Sequence, residues 1–315
     1  MKKSHKIIIV CLCLLALVGI VGAYAYKMYN DVVDTSSAVY KKIDKKKVRK
    51  QELDMSIAEP FSILLLGVDT EALGRTDKGF TDTMMLLTVS PQQKKTTIVS
   101  IPKDSYVKIA GHEVEGRLNT AYSIGNIGTS VDTIQNFLTV PIDYYVKVNM
   151  GGIQDLIDAI DGIQIENGSE IEQDGIRFGK GLVHLNGEKA LAYARAGYNR
   201  ANIGSDYTRQ QHQRQIVSAI AKKMMNVSTL TKYKELLRVL QENTETNFKF
   251  DDFYSVQKNY KQAFTKIDQL QLQGTLTDIN AETYQIIDPT ELSRVSAILS
   301  KQLESVKKAP SSKTK

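Results

Sequence analysis

"FSILLLGVD" (61–69) decides the fold class. Apolar side chains fill successive positions rather than alternate ones, so neither face is built for water. A strand of this kind belongs in a sheet covered on both sides. Three more runs have the same texture: "TMMLLTV" (83–89), "TTIVSI" (96–101) and "DYYVKVN" (143–149). Helix patterns sit among and after them. In "GGIQDLIDAIDG" (151–162), Ile153, Leu156, Ile157 and Ile160 recur at i, i+3, i+4, i+7 and a glycine closes the segment, an amphipathic helix with its stop signal. "GSDYTRQQHQRQIVSAIAKKMM" (204–225) starts polar and turns apolar; a helix from about Tyr207 to Met225 would carry Ile216, Ala219, Ile220 and Lys223 on one face. Further helices are expected over 229–242, 250–264 and 289–307, with short strands near 268–272 and 284–287. Strands alternating with helices predict an α/β fold, a three-layer α/β/α sandwich with a central mixed sheet.

Outward from this region the chain changes character. Basic residues 1–6 precede "IIIVCLCLLALVGIVGA" (7–23), and with Tyr24, Ala25 and Tyr26 the uncharged run reaches the roughly 20 residues that a bilayer-spanning helix needs. A cleaved signal peptide is the alternative, since Ala23-Tyr24-Ala25 fits an A-x-A site, but its apolar core is normally only about 7–15 residues long. The expected organisation is a cytoplasmic tail (1–6), a transmembrane anchor (7–26), a charged juxtamembrane stalk (27–58) with "KKIDKKKVRK" (41–50) helical and solvated, an extracellular domain (59–307) and a disordered tail (308–315). The two cysteines, Cys11 and Cys13, fall inside the span, so the exported part has no disulfide to form. A net charge of +6 and a pI near 9.0 suit lipid, phosphate or nucleic acid alike. Six residues on the cytoplasmic side are too few for a DNA-reading module, so no nucleic-acid partner is expected.

In α/β sheets ligands bind beyond the carboxyl ends of strands. Asp69 and Asp82 flank the loop "TEALGRTDKGFT" (70–81) at such boundaries, and two carboxylates beside a basic loop can carry Mg²⁺, or serve simply as turn and strand-end residues. "VSIPKDSY" (99–106) places Lys103 and Asp104 just past a strand, and "EGRLNTAY" (115–122) places Arg117 ahead of a helix. "LNGEKALAYARAGYNR" (185–200) opens with a helix cap at Asn186 and carries Arg195 among alanines, where an arginine needs an anionic partner. Asp206, Arg209, Gln210, Gln213 and Arg214 cluster at the start of the 207–225 helix, where free N–H groups and the dipole favour an anion. The polar start then reads as a phosphate clamp and the apolar remainder as the part packed on the sheet. His184 and His212 are isolated, and the glycine-containing loop lacks Walker spacing.

Together "LLLGVDT", "DTMMLLTVSP", "TIVSIPKDSY", "RLNTAY", "VPIDYYVKVNMGG", "GLVHLNGEKALAYAR" and "DYTRQQHQRQ" resemble the LytR-CpsA-Psr family of Gram-positive envelope proteins. The resemblance implies a membrane-anchored phosphotransferase that moves an anionic glycopolymer, of teichoic acid or capsular type, from undecaprenyl pyrophosphate to peptidoglycan with Mg²⁺. By position, Asp69 and Asp82 would hold the metal. Arg195, Arg209 and Gln213 would hold the pyrophosphate, with Lys103, Arg117 and Arg75 as further cations, and Asp104 is a candidate base. The chain departs from the family pattern at Phe80, Lys103 and Gly197, each in place of an arginine; Arg75 and Arg200 stand near enough in sequence to substitute. The competing expectation is a weakened member that binds the lipid pyrophosphate without transferring it and influences wall synthesis or transcription indirectly.

Overall fold

The computed structural model describes residues 26–49, 52–68, 79–197, 203–225 and 233–304. The 1–6 tail, all of the expected 7–26 span but its last residue, Asp69, Arg75, Arg200 and the 308–315 tail lie outside the described residues. Among the described residues, no helix is long and apolar enough to cross a membrane.

Six strands form the central sheet: β1 (Phe61–Val68), β2 (Thr81–Ser90), β3 (Lys95–Ser100), β6 (Tyr144–Asn149), β11 (Thr244–Thr246) and β12 (Lys266–Gln271), in the order β11-β6-β1-β2-β3-β12. β1 pairs parallel with β6 and antiparallel with β2; β3 is antiparallel to β2 and parallel to β12. The sheet is therefore mixed, and β1, β3, β6 and β12 point their carboxyl ends the same way.

The apolar runs divide between two faces as the strand period dictates. Leu64, Leu66, Met84, Leu86 and Val99 meet α2 (Thr120–Leu138) and α8 (Pro289–Leu303) through Val131, Ile134, Leu138, Val295 and Leu299. Ile63, Leu65, Met85, Leu87 and Ile98 face the other way, toward Val217 of α5 (Ile203–Met224). Helices on both faces make the expected sandwich. A satellite core joins α3 (Met150–Ala159), β7 (Ile163–Asn167), β10 (Gly181–Leu185), α4 (Gly187–Arg195) and Ile216 of α5. Side-chain caps start α3 and α4: Asn186 accepts from Lys189 N at 3.0 Å, as the sequence suggested, and Asn149 accepts from Gly152 N at 2.6 Å.

Short hairpins complete the domain: β4 (Tyr106–Lys108) with β5 (Glu115–Arg117), β8 (Ile171–Gln173) with β9 (Ile176–Phe178), and β13 (Thr275–Ile279) with β14 (Glu282–Ile286); of these six strands the sequence reading anticipated only β14, as the strand near 284–287. The helix expected over 250–264 ends at Asn259 as α7, where buried Tyr260 turns inward and donates to Glu59 O at 2.6 Å; a 3-10 turn covers Lys261–Phe264.

The reading of 41–50 as a helical, solvated stalk needs correction. A helix, α1, covers 26–39, and α6 is Tyr233–Asn243; Tyr233 of α6 donates to Asp31 at 3.2 Å. Residues 41–49 are non-helical and lie along the domain as a strap. Lys41 N donates to Thr246 O at 2.7 Å, Lys46 N to Asp132 Oδ1 at 2.8 Å, and Lys45 Nζ to Ile142 O, while Ile43 packs on the main core. Arg49 makes a two-pronged bond to Asp143, Nε to Oδ1 at 2.8 Å and NH2 to Oδ2 at 2.7 Å. Bidentate geometry suits a guanidinium whose partner is largely buried. The expectation of a solvated run holds for Lys41, Lys42, Lys46 and Lys47, which are exposed; the correction is that the segment is non-helical and is fastened to the domain by backbone N–H groups and by the side chains of Lys45 and Arg49.

Candidate functional site

At the carboxyl ends of β3 and β12 and the start of β2, Asp82, Thr83, Ser100, Lys103, Arg209, Gln210 and Gln213 line a partly enclosed hollow. Three elements bring them together. β2 opens with Asp82. β3 ends at Ser100, and Ile101-Pro102 carries Lys103 over the sheet edge, where its Nζ donates to Asp82 Oδ1 at 2.5 Å. The third element is α5, whose residues Arg209, Gln210, Gln213, Arg214, Val217 and Ser218 recur at helical spacing on its sheet-facing side.

This side corrects the expected role of the apolar stripe. Ile216, Ala219 and Ile220 pack on the satellite core of α3, β7 and α4, and it is the more polar stripe that faces the sheet. Lys223, assigned to the apolar face, donates to Asp161 O at 2.9 Å and to Gly162 O, the carbonyls just past the end of α3, where a cation complements the helix dipole.

Within the hollow, Arg209 donates to Asp206 Oδ1 through Nε at 3.1 Å and NH2 at 2.5 Å; the two side chains are 12 % and 20 % exposed. Gln210 donates its amide to the other Asp206 oxygen. Thr83 Oγ1 donates to Gln213 Oε1 at 3.3 Å. Asp104 is half-buried beside Arg117, 3.6 Å from its Nε. Burial pushes its carboxyl above the usual range and Asp206 adds to the rise, against the lowering effects of Lys103, Arg117 and Arg209.

Arg117 lies over the Tyr284 ring at 5.6 Å and donates to Thr283 O at 3.4 and 3.3 Å, so the β13–β14 hairpin orients it. Arg195 is placed differently from the expectation. It is absent from the residues lining the hollow, is 54 % exposed, and donates to Asp174 Oδ2 at 2.8 Å in the β8–β9 turn. Exposure and this partner answer the desolvation cost that an arginine among alanines raised. Gly197, two residues on, holds φ at +79°, and a Cβ there would come 3.4 Å from Thr208 Cγ2 of α5. Phe80 is 42 % exposed ahead of β2.

Two contributors escaped the sequence: Ser100 and Gln271. Arg214 NH1 donates to Ser100 Oγ and to Gln271 Oε1, both at 2.7 Å. The signal was present in β12, where Gln269 and Gln271 share one face and meet Ser218 and Arg214, two polar residues four apart on α5.

A model of the LytR_cpsA_psr family matches residues 26–301. The chain belongs to this family. Among its relatives, the polyisoprenyl-teichoic acid–peptidoglycan teichoic acid transferase TagU of Enterococcus faecalis is 38% identical over 305 residues, covering 96% of this chain and 99% of that protein. TagU of Bacillus subtilis (strain 168) is 38% identical over 304 residues, covering 96% and 98%. The crystal structure of B. subtilis TagU superposes with a TM-score of 0.64 at 37% identity, over 80% of this chain and 100% of that one. A structure of TagT bound to LIIa-WTA gives 0.68 at 26%, over 82% and 96%. The α/β fold with its central mixed sheet is thus the fold of LytR-CpsA-Psr structures.

The donor set suits a hard cation. Asp82 offers a carboxylate at the rim, and the neighbouring Thr83 and Gln213 oxygens are hard as well. Lys103 neutralises Asp82 in this arrangement and would have to share it. Among the described residues no three His, Cys, Asp or Glu side chains cluster as a metal site.

Proposed function

We propose that this chain is a membrane-anchored transferase that moves an anionic glycopolymer from undecaprenyl pyrophosphate to peptidoglycan. The observation that carries the proposal is the joining of Lys103, Arg209 and Gln213 in one hollow at the sheet's carboxyl edge. Phosphoryl transfer is largely positioning and neutralisation of oxygen charge. Arg209 and Lys103 would bind the pyrophosphate oxygens, and Gln213 would donate to one of them. Mg²⁺, held by Asp82 and Asp69, would offset further phosphate charge when bound. Asp104 would take the proton of the acceptor hydroxyl, and its raised pKa would make it a better base than an ordinary aspartate. The acceptor oxygen, in this family the 6-hydroxyl of N-acetylmuramic acid, forms a bond to the glycan-bearing phosphorus as the bond to the bridging oxygen breaks. The products are a phosphodiester and undecaprenyl phosphate. An anchor over residues 7–26 would place the domain outside the cell membrane.

The test incubates the full-length protein with Mg²⁺, a synthetic lipid-pyrophosphate glycan and peptidoglycan oligomers. Product that is lost in Asp82→Ala and in Arg209→Ala supports transfer. Arg195 engaged with Asp174, and glycine at 197, favour a second reading, a binding protein that retains the lipid pyrophosphate without transferring it and affects regulation indirectly. Tight binding that Arg209→Ala abolishes, with no product from the unmodified protein, would select that reading.

A further inference from the structure

Arg214 is only 5 % exposed, and both of its hydrogen-bond partners, Ser100 and Gln271, are neutral. Its Nε has no partner among the described residues. Lys103 and Arg209 each hold a carboxylate; no ion pair involving Arg214 is found among the described residues. Burial alone draws its pKa down to about 10. Replacing a buried charge by an apolar side chain is often neutral or stabilising, so packing gives no reason for a guanidinium here.

Direction supplies the reason. Arg214 donates to Gln271 Oε1; Gln271 Nε2 donates to Gln210 Oε1 at 2.8 Å; Gln210 Nε2 donates to Asp206 Oδ2; and the other Asp206 oxygen receives Arg209. A glutamine amide can be placed either way round, whereas a guanidinium only donates. Arg214, which only donates, stands at one end of the chain and the Asp206 carboxylate, which only accepts, at the other, so both amides have one orientation that satisfies every member. Without Arg214 the Gln271 oxygen loses its charged donor, and the support that runs through Gln210 to Asp206 and Arg209 loses its fixed end.

We propose that Arg214 is a positioning residue for the anion site, anchoring the donor end of the Gln271–Gln210–Asp206 chain and thereby holding Arg209 aimed into the hollow. This rests on the hollow's being an anion site.

The test uses the full-length protein in detergent micelles, titrated calorimetrically with geranyl pyrophosphate in the presence of Mg²⁺, alongside NMR of the Arg209 Nε–H exchange rate and thermal melting. Arg214→Met is expected to weaken binding about tenfold, the scale of one charge-assisted hydrogen bond, to speed Arg209 exchange, and to leave Tm unchanged or higher. Gln271→Met does the same, and the double variant loses no more than either alone, since both cut one chain. Arg214→Lys, which still only donates, recovers part of the loss. Additive losses, or unchanged binding with slow Arg209 exchange, overturn the proposal, as does a fall in Tm that accounts for lost binding in Arg214→Met while Gln271→Met binds normally. Should the unmodified protein fail to bind the probe, the anion reading of the hollow falls, and the exchange rates still decide whether Arg214 positions Arg209.

Discussion

Lys103 closes the gap between two strands: its Nζ, carried past the end of β3, lies 2.5 Å from Asp82 Oδ1 at the start of β2. The side chains are 23 % and 33 % exposed, so the pair is open to an incoming anion on one side. Lys103→Ala is expected to lower kcat/KM about tenfold to hundredfold by removing a charged hydrogen bond to the donor. Stability should change by less than about 1 kcal/mol, as for other partly exposed pairs. Steady-state transfer assays with a urea titration check both numbers, and an unaltered rate would take Lys103 out of the site.

Asp104 gives a prediction in pH. Its folded pKa is raised, mainly by burial, so the folded state holds this proton more tightly than the unfolded chain does. Its contribution to stability is present below the ordinary aspartate pKa of 3.8 and is lost as pH rises through the raised value. Asp104→Asn should therefore melt higher than the unmodified protein at pH 7, with the gain shrinking toward pH 4. As a base, Asp104 should also impose an acid-side fall on kcat/KM that the asparagine variant, much slower, lacks.

Gly197 sits with φ at +79° close to Thr208. Gly197→Arg, which restores a family-like arginine, should cost about 1 kcal/mol because an L side chain resists this backbone region. No gain in donor affinity is expected, because the neighbouring Arg195 already points to Asp174. Chemical denaturation and a binding titration on the same preparation would show it, and improved binding at undiminished stability would contradict this account.

Arg49→Ala leaves Asp143 without its guanidinium, although Ser62 N still donates to that carboxylate at 2.9 Å. The pair is 19 % and 9 % exposed, and breaking a largely buried pair from one side costs about 3 kcal/mol or more. Limited proteolysis should then cut within 41–49 well before the domain unfolds globally.

Where runs were long and apolar, as in "FSILLLGVD" or "GGIQDLIDAIDG", periodicity identified the element and its place, because burial on two faces or on one stripe leaves little freedom. The grouping was legible where charged and amide side chains stand at element ends: Asp82, Lys103, Arg209 and Gln213 do line one hollow. It was not legible where neutral residues arrange charged ones. Ser100 and Gln271 are ordinary polar positions until α5 is laid across β3 and β12. Arg195 misled because its partner, Asp174, lies in a hairpin too short to leave a periodic trace. The 41–49 strap was missed for a related reason, since composition records charge and not which backbone N–H groups and which single side chains, Lys45 and Arg49, find partners on the domain.

That strap has a mechanical consequence. A pull applied at residue 26 reaches the domain first through Tyr29 on Phe250 and Asp31 on Tyr233, next through the Tyr40–Thr246 bridge, and then through Arg49 on Asp143, the residue just before β6, which is tied in turn to Ser62 of β1. These fastenings include the amino ends of the two central parallel strands, away from the edge that holds Lys103 and Arg209. The load therefore enters the sheet at the edge opposite the hollow, where β1 and β6 begin side by side.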